Sequence, residues 1–413
     1  MIKKIIFSLL LFILVGFVIM KFFPFESFFE NYNGVEEIVE KDIMNDIEKE
    51  GDSENDEEIF SETKINNLLG DDSSLWMHPN NKGWSALKKN SPEEWDVVLD
   101  NIEGFGIFGA NIKNENQQEV TAALSILRER NIRIAVEVGG LRPFACTGED
   151  MARREMEIFD KLYGAGYSDF VVRIDAPFTF TSVNAFHEND CKHSWEKTAE
   201  EMVDYMDVVG SKYPEAEFYW NEPTGMFSFG EIRSNNENRK VGDLKQIIPI
   251  VFREADNRGV NLKGFIADNS LKPVINHPDD EGWLRLVEIQ RAVNRAGKDF
   301  SILLNYAGDR CPGCTNGGFA TDEEFYRATL GYYDCFLANG GKLDLVYPES
   351  WWKHPEETLP EEKNYTFANL MLAFIDRLVD ENYKPSCDFV NKVFIPEAWG
   401  TSDKYLNYDE PRR

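Results

Sequence analysis

The chain is poor in histidine, poor in positive charge and poor in the short motifs that announce hydrolases. Its five histidines, His78, His187, His193, His277 and His354, are scattered and form no His-x-His pair. A metal-dependent barrel hydrolase needs that pair and further ligands, so no metal is expected. No Gly-x-Ser-x-Gly elbow occurs, which disfavours a Ser-His-Asp hydrolase. No glycine-rich turn follows the first strand candidate, as an open doubly wound sheet would have. Gly317-Gly318 and Gly340-Gly341 lack the clustered base of a phosphate site, and no cofactor is expected. Lys and Arg number 44 against 73 Asp and Glu, for a net charge of -29 and a pI near 4.6. A surface tracking phosphates needs clustered cations, so nucleic acid is not expected as a partner, and a bulk acidic polysaccharide is disfavoured too.

The N-terminus has an export pattern. Lys3 and Lys4 precede an apolar run from Ile5 to Met20, followed by Lys21 and the aromatic residues Phe22, Phe23 and Phe25. No Ala-x-Ala site follows Met20 and no lipobox cysteine is present, which favours an uncleaved signal anchor over a cleaved signal peptide. Residues 26–72 are rich in Asp, Glu, Asn and Ser, above all from Glu36 to Asp72, and read as an acidic disordered linker. The expected organisation is an anchor or signal peptide over 1–25, the linker over 26–72 and one folded domain over 73–413. The domain would stand outside the cytoplasm, held to the membrane by a single N-terminal helix, with secretion as the alternative. Six cysteines in such a chain, Cys146, Cys191, Cys311, Cys314, Cys335 and Cys387, are compatible with one to three disulfides of undetermined connectivity. Cys311-Pro312-Gly313-Cys314 has no second pair to complete a zinc site and reads as a local disulfide or clamp.

Short apolar runs alternate with longer amphipathic ones from Leu75 onward. Strands are expected at Leu75–His78, Gly104–Ile112, Arg133–Gly139, Phe170–Ala176, Glu217–Asn221, Lys263–Asp268, Ser301–Tyr306 and Leu343–Pro348. Ser91-Pro92-Glu93-Glu94 and Thr321-Asp322-Glu323-Glu324 carry helix-start signals between them. Eight such pairs point to an α/β fold of the (β/α)8 barrel type. An alternative register would count Val393–Pro396 as the eighth strand and demote Leu75–His78 to a lead-in.

In either register, polar residues gather at the carboxyl ends of the strands, where barrel enzymes build their sites. They are His78 and Asn80, Asn111, Glu137, Asp175, Asn221 and Glu222, Asp268 and Asn269, Asn305 and Tyr306, and Glu349. Aromatic residues accompany them, among them Trp76, Trp84, Phe144, Phe178, Phe180, Trp220, Phe227, Trp351 and Trp352. Flat rings suit the C–H faces of sugars and raise the pKa of a neighbouring carboxyl by desolvation. Trp220-Asn221-Glu222-Pro223 and Pro348-Glu349-Ser350-Trp351 each place a glutamate where a strand gives way to a loop. Glycoside hydrolysis needs such a carboxyl pair, ~5 to 5.5 Å apart for retention and ~6.5 to 9.5 Å for inversion.

Asn221-Glu222-Pro223 after one strand, with Glu349 at the end of the strand three positions on, resembles the clan A retaining glycoside hydrolases. The resemblance implies Glu222 as acid/base, Glu349 as nucleophile and Asn221 as ligand of the sugar hydroxyl beside the reacting carbon. It also implies an arginine near the second strand and a tyrosine partnering the nucleophile, for which Arg142 and Tyr306 are the candidates. The family pairs its acids after strands four and seven, where this register gives five and eight. Trp220, Glu137, Asp175, Asp268, Asn305, Tyr306, Trp351 and His78 are the further candidates for binding a carbohydrate substrate, and Glu137 competes with Glu222 for the acid role. The competing class is a barrel that binds surface glycans without turning them over.

Overall fold

In the computed structural model the described residues are 74–184, 191–232, 241–275, 281–306, 321–350 and 353–393. The expected anchor and linker, the Cys311–Cys314 pair, Trp351 and Trp352 lie outside them. No helix among the described residues is long and apolar enough to cross a membrane.

Eight parallel strands close into a (β/α)8 barrel: β1 (Ser74–Met77), β2 (Gly104–Phe108), β3 (Arg133–Val138), β4 (Val171–Asp175), β5 (Glu217–Glu222), β6 (Leu262–Ala267), β7 (Asp299–Leu304) and β8 (Leu345–Pro348). The ring closes because β1 pairs in parallel with β8, Ser74 opposite Leu345, and with β2, Trp76 opposite Gly104. This decides the register: Leu75 belongs to the first strand. Val393 ends the helix Asp388–Val393, and the residues that follow it lie outside the described set.

Side chains alternate along each strand between the barrel interior and the helix layer. Trp76, Ala135, Val171, Ile266, Leu303, Leu345 and Tyr347 pack together inside, with Tyr219 against them. The opposite faces join the large core under the helices, which includes Val136, Val172, Phe218, Trp220, Phe265 and Val346. On β2 the inward positions are Gly104 and Gly106, because Trp76 occupies the space beside the first and His78 and Tyr347 the space beside the second. The letters Gly104-Phe105-Gly106-Ile107-Phe108-Gly109 spell a dinucleotide fingerprint, but its first five residues are strand. Here the glycines make room for rings in a filled barrel.

Two local expectations differ from the structure. The strand foreseen over Gly104–Ile112 ends at Phe108, and Gly109–Asn114 is a helix. Ile112 turns into the core one helical turn after Phe108, while Asn111 donates to Asn81 Oδ1 and is not at a strand end. Ser91 makes no side-chain cap, and Pro92–Glu94 forms only a 3-10 turn. The Thr321 capping box is formed in full, starting the helix Asp322–Ala338.

Among the described residues two disulfides, Cys146–Cys191 and Cys335–Cys387, join residues 45 and 52 positions apart. Closing loops of that length removes roughly 4 kcal/mol of chain entropy from the unfolded state. Replacing Cys335 and Cys387 together by Ser is therefore expected to cost about 2–4 kcal/mol, read as a lower urea midpoint with a steeper slope, because the unfolded chain without the crosslink exposes more surface.

Candidate active site

The centre of the barrel mouth is an arginine. Arg173 sits on β4 between Val172 and Ile174, points inward as Val171 does, and is fully buried. Its Nη1 lies 2.6 Å from Glu349 Oε2 and donates to Tyr347 Oη at 2.8 Å; its Nη2 donates to Glu137 Oε2 at 2.8 Å. His78 Nδ1 is 2.8 Å from Glu349 Oε2 and 2.7 Å from Arg173 Nη1. The two Nη1 protons serve Glu349 and Tyr347, so we assign the imidazole proton to Nδ1, donating to Glu349. That leaves Nε2 as a bare acceptor, buried and without a partner among the described residues.

These contacts set the charges. Burial lowers the His78 pKa, against the pull of Glu349, so the ring is neutral near pH 7. Burial alone would raise Glu349, but Arg173 and His78 together hold it below the usual carboxylate range. Glu137 goes the other way: burial, then the neighbouring Glu349 charge, outweigh Arg173 and push it well up. One oxygen of Glu137, one of Glu349 and a ring nitrogen of His78 all lie within 4.8 Å of one another. The Arg173 guanidinium supplies the positive charge at this trio.

Around this centre stand further inward residues. Asp175 continues the Val171, Arg173 alternation; Asp268 continues that of Ile266, and Asn305 that of Leu303. Asn221 lies opposite the inward Ile266 in the ladder. Asn221 Oδ1, Asp268 Oδ1 and both amide atoms of Asn305 are buried with no partner among the described residues. Groups of this kind cost on the order of 1–3 kcal/mol each when left bare, and ordered water commonly satisfies them. Burial, followed by the charges of Asp175 and Glu349, pushes Asp268 well up.

Glu222 has partners of its own, within electrostatic reach of Asp175 and Asp268. In the ladder it lies opposite Ala267, a residue of the outer core, and it shares its strand face with Trp220. Its carboxylate accepts from Phe178 N at 2.7 Å, Thr179 Oγ1 at 2.6 Å and Trp220 Nε1 at 3.2 Å, with no exposed surface. Burial exceeds these hydrogen bonds and raises its pKa to about 8. The Glu222 carboxyl is thus held by the Phe178–Thr179 turn and Trp220, whereas Glu349 is held by Arg173 and His78. Trp220 is fully buried between Phe178 and Phe265 and offers no ring to a substrate. Tyr306 packs against the outer core, partly buried. Arg142 serves Asp175, its Nη2 2.6 Å from Oδ2 and its Nη1 2.6 Å from the backbone oxygen, and lies over Phe180 at 4.3 Å. Arg173 and His78 are the side chains found in contact with the Glu349 carboxylate.

A cavity of about 520 Å³ opens over β2 to β4. Its walls include Phe108, Glu137, Arg142 and Asp175, with the 68 % exposed ring of Phe144 at the edge. Glu155 closes one side, accepting from Gly139 N at 2.8 Å and Tyr205 Oη at 2.7 Å and so fixing the turn after β3. Six charged side chains, Lys113, Glu137, Arg142, Arg154, Glu155 and Asp175, stand in its wall.

No protein-family model and no curated protein sequence matches this chain. Among solved structures, the D-psicose 3-epimerase of Clostridium cellulolyticum H10 is 9 % identical, with 73 % of this chain and 97 % of that one covered at a TM-score of 0.41. An endo-1,4-beta-xylanase of Penicillium canescens is 12 % identical, with 67 % and 82 % covered at 0.38. Active domain 2 of a chitinase from Pyrococcus furiosus is 12 % identical, with 76 % and 100 % covered at 0.41. Likeness at this level says nothing of chemistry. The barrel rests on its own strand pairing.

Proposed function

We propose that the barrel mouth is a glycosidase-type active site in which Glu137, on β3, replaces Glu222 as the proton donor and Glu349, on β8, is the ionised partner. The carrying observation is the carboxyl pair itself: oxygens within 4.8 Å, bridged by Arg173, with pKa values displaced in opposite directions. Two carboxyls driven apart in this way can hold one proton for a leaving oxygen and one negative charge for a sugar cation. Their closeness fits the retaining geometry better than the inverting one. Asn221, Asp268 and Asn305 would take the sugar hydroxyls, and Phe144 would offer a ring to a sugar face.

A panel of β- and α-linked oligosaccharides with the full chain tests this reading. Glu349→Gln and Glu137→Gln are each expected to lower turnover at least 10³-fold, with Glu137→Gln rescued most on substrates whose leaving group needs no proton. Undiminished turnover in Glu349→Gln would remove the assignment. One observation favours binding without turnover: Glu349 is only 2 % exposed and already engaged by Arg173 and His78. Saturable glycan binding with no hydrolysis on any member of the panel would select that reading. Tethering to a membrane through residues 1–25 belongs to this proposal too, and fractionation of cells expressing the full chain tests it.

A further inference from the structure

The lip of the cavity departs from the charge of the chain. Acids outnumber bases 73 to 44 overall, yet the cavity wall carries Lys113, Arg142 and Arg154 against Glu137, Asp175 and Glu155. The two glutamates differ from surface carboxylates. Glu137 faces Arg173, and Glu155 is spent on two backbone N–H groups and the Tyr205 hydroxyl. Asp175 is neutralised by Arg142 at 2.6 Å. Two cations of the wall remain, Arg154 and Lys113, the latter also within electrostatic reach of Glu157. Lys113, at the end of the helix Gly109–Asn114, is exposed and makes no ion pair among the described residues. Arg154, on the helix Gly148–Gly164, has only Asp150 at 3.0 Å, a pair with both side chains about half exposed. An exposed pair of that kind is weak and readily exchanged for a better anion.

We infer that the site takes an anionic saccharide, its sugar ring over Phe144 and its acidic group between Lys113 and Arg154. The inference rests on the proposed carbohydrate site and adds the class of sugar. Arg favours carboxylate and sulfate because its fork matches two oxygens, and Lys adds a mobile point charge. The net charge of -29 argues against long polyanions, since repulsion from the rest of the surface acts on every charge within a Debye length of about 8 Å at physiological salt. A short oligosaccharide, with its acidic groups confined to the lip, escapes most of that repulsion. Repulsion of this kind disfavours the acidic polymer and leaves the short oligomer open.

The test is calorimetric titration of the full chain carrying Glu137→Gln with three trisaccharides of equal length: a uronic acid oligomer, a sulfated one and a neutral one. An acidic trisaccharide is expected to bind about 10-fold more tightly than the neutral one at low salt, and the uronic and sulfated arms tell which anion is preferred. The ratio should fall to about 1 when Lys113→Glu and Arg154→Glu are combined, and Arg154→Lys should restore part of it in the Lys113 wild-type background. Equal or tighter binding of the neutral sugar, or a ratio that survives the double variant, overturns the inference. Wild-type protein that hydrolyses only neutral glycans overturns it while leaving the glycosidase reading intact. Acid-selective binding without hydrolysis does the reverse.

Discussion

Replacing Arg173 by Met is expected to destabilise the barrel by about 3–5 kcal/mol at pH 7.5, and by much less at pH 4.5. The magnitude is that of removing one partner from a buried ion pair, which leaves the other charge uncompensated. Arg173 is fully buried and holds both Glu349 and Glu137, so its loss strands two carboxyls in one interior. The sign with pH follows from Glu349. In the wild type its folded pKa is depressed, so it adds stability above the unfolded carboxylate value, and that stability fades as pH falls through the folded pKa. Without Arg173, burial and the nearby Glu137 raise both carboxyls, and protonation at acid pH removes the penalty. Urea unfolding of wild type and variant at the two pH values measures the difference. A deficit of the same size at both would mean that lost packing against Tyr347, whose ring lies 4.5 Å from the guanidinium, is the whole effect. Arg173→Lys is expected to fall between, since an ammonium keeps the charge but cannot fork to two acceptors.

The arginine also shows where the sequence stops being readable. The barrel could be read from eight apolar runs, and the polar rim from residues ending them, because burial on both faces and a carboxyl-end site leave marks on composition. Arg173 left no such mark: within Phe170-Val171-Val172-Arg173-Ile174 it looks like a tolerated exception to a buried strand. Its parity with Asp175 was the available signal. A cation two positions before a rim acid, on the same face, lies one layer below it in the barrel.

The Asn221-Glu222 pair is the complementary case. Both end β5 and both are polar, and a motif reading weights the glutamate. Alternation weights the asparagine, because Phe218 and Trp220 are large apolar side chains suited to the helix layer and Glu222 follows them in step. Tyr219 and Asn221 form the inward row. On β8 the same test gives Leu345, Tyr347 and Glu349 on the inward face, and there motif and alternation agree. What no pattern in the sequence could supply was the convergence of His78, Glu137 and Glu349 on one guanidinium, which depends on the stagger of strands far apart in the chain.

Glu222 is expected to reveal its position through pH. A carboxyl with an ordinary value near 4.5 when unfolded and about 8 when folded binds its proton more tightly in the native state. Below pH 4.5 both states are protonated and the group is neutral to stability. Between 4.5 and 8 the unfolded chain ionises first, so stability falls as pH rises, by roughly 3–5 kcal/mol if the whole shift is realised. Glu222→Gln fixes the neutral form: the amide oxygen can still accept from Phe178 N and Trp220 Nε1, and its NH2 can donate to Thr179 Oγ1. The variant should match the wild type at pH 4.5 and exceed it by several degrees in Tm at pH 8.5, since each kcal/mol moves a domain of this size by about 2 °C. It should also leave glycan turnover within a few-fold, where a catalytic acid/base would lose orders of magnitude. A variant that is inactive but gains no alkaline stability would return Glu222 to the reaction and displace Glu137 from it.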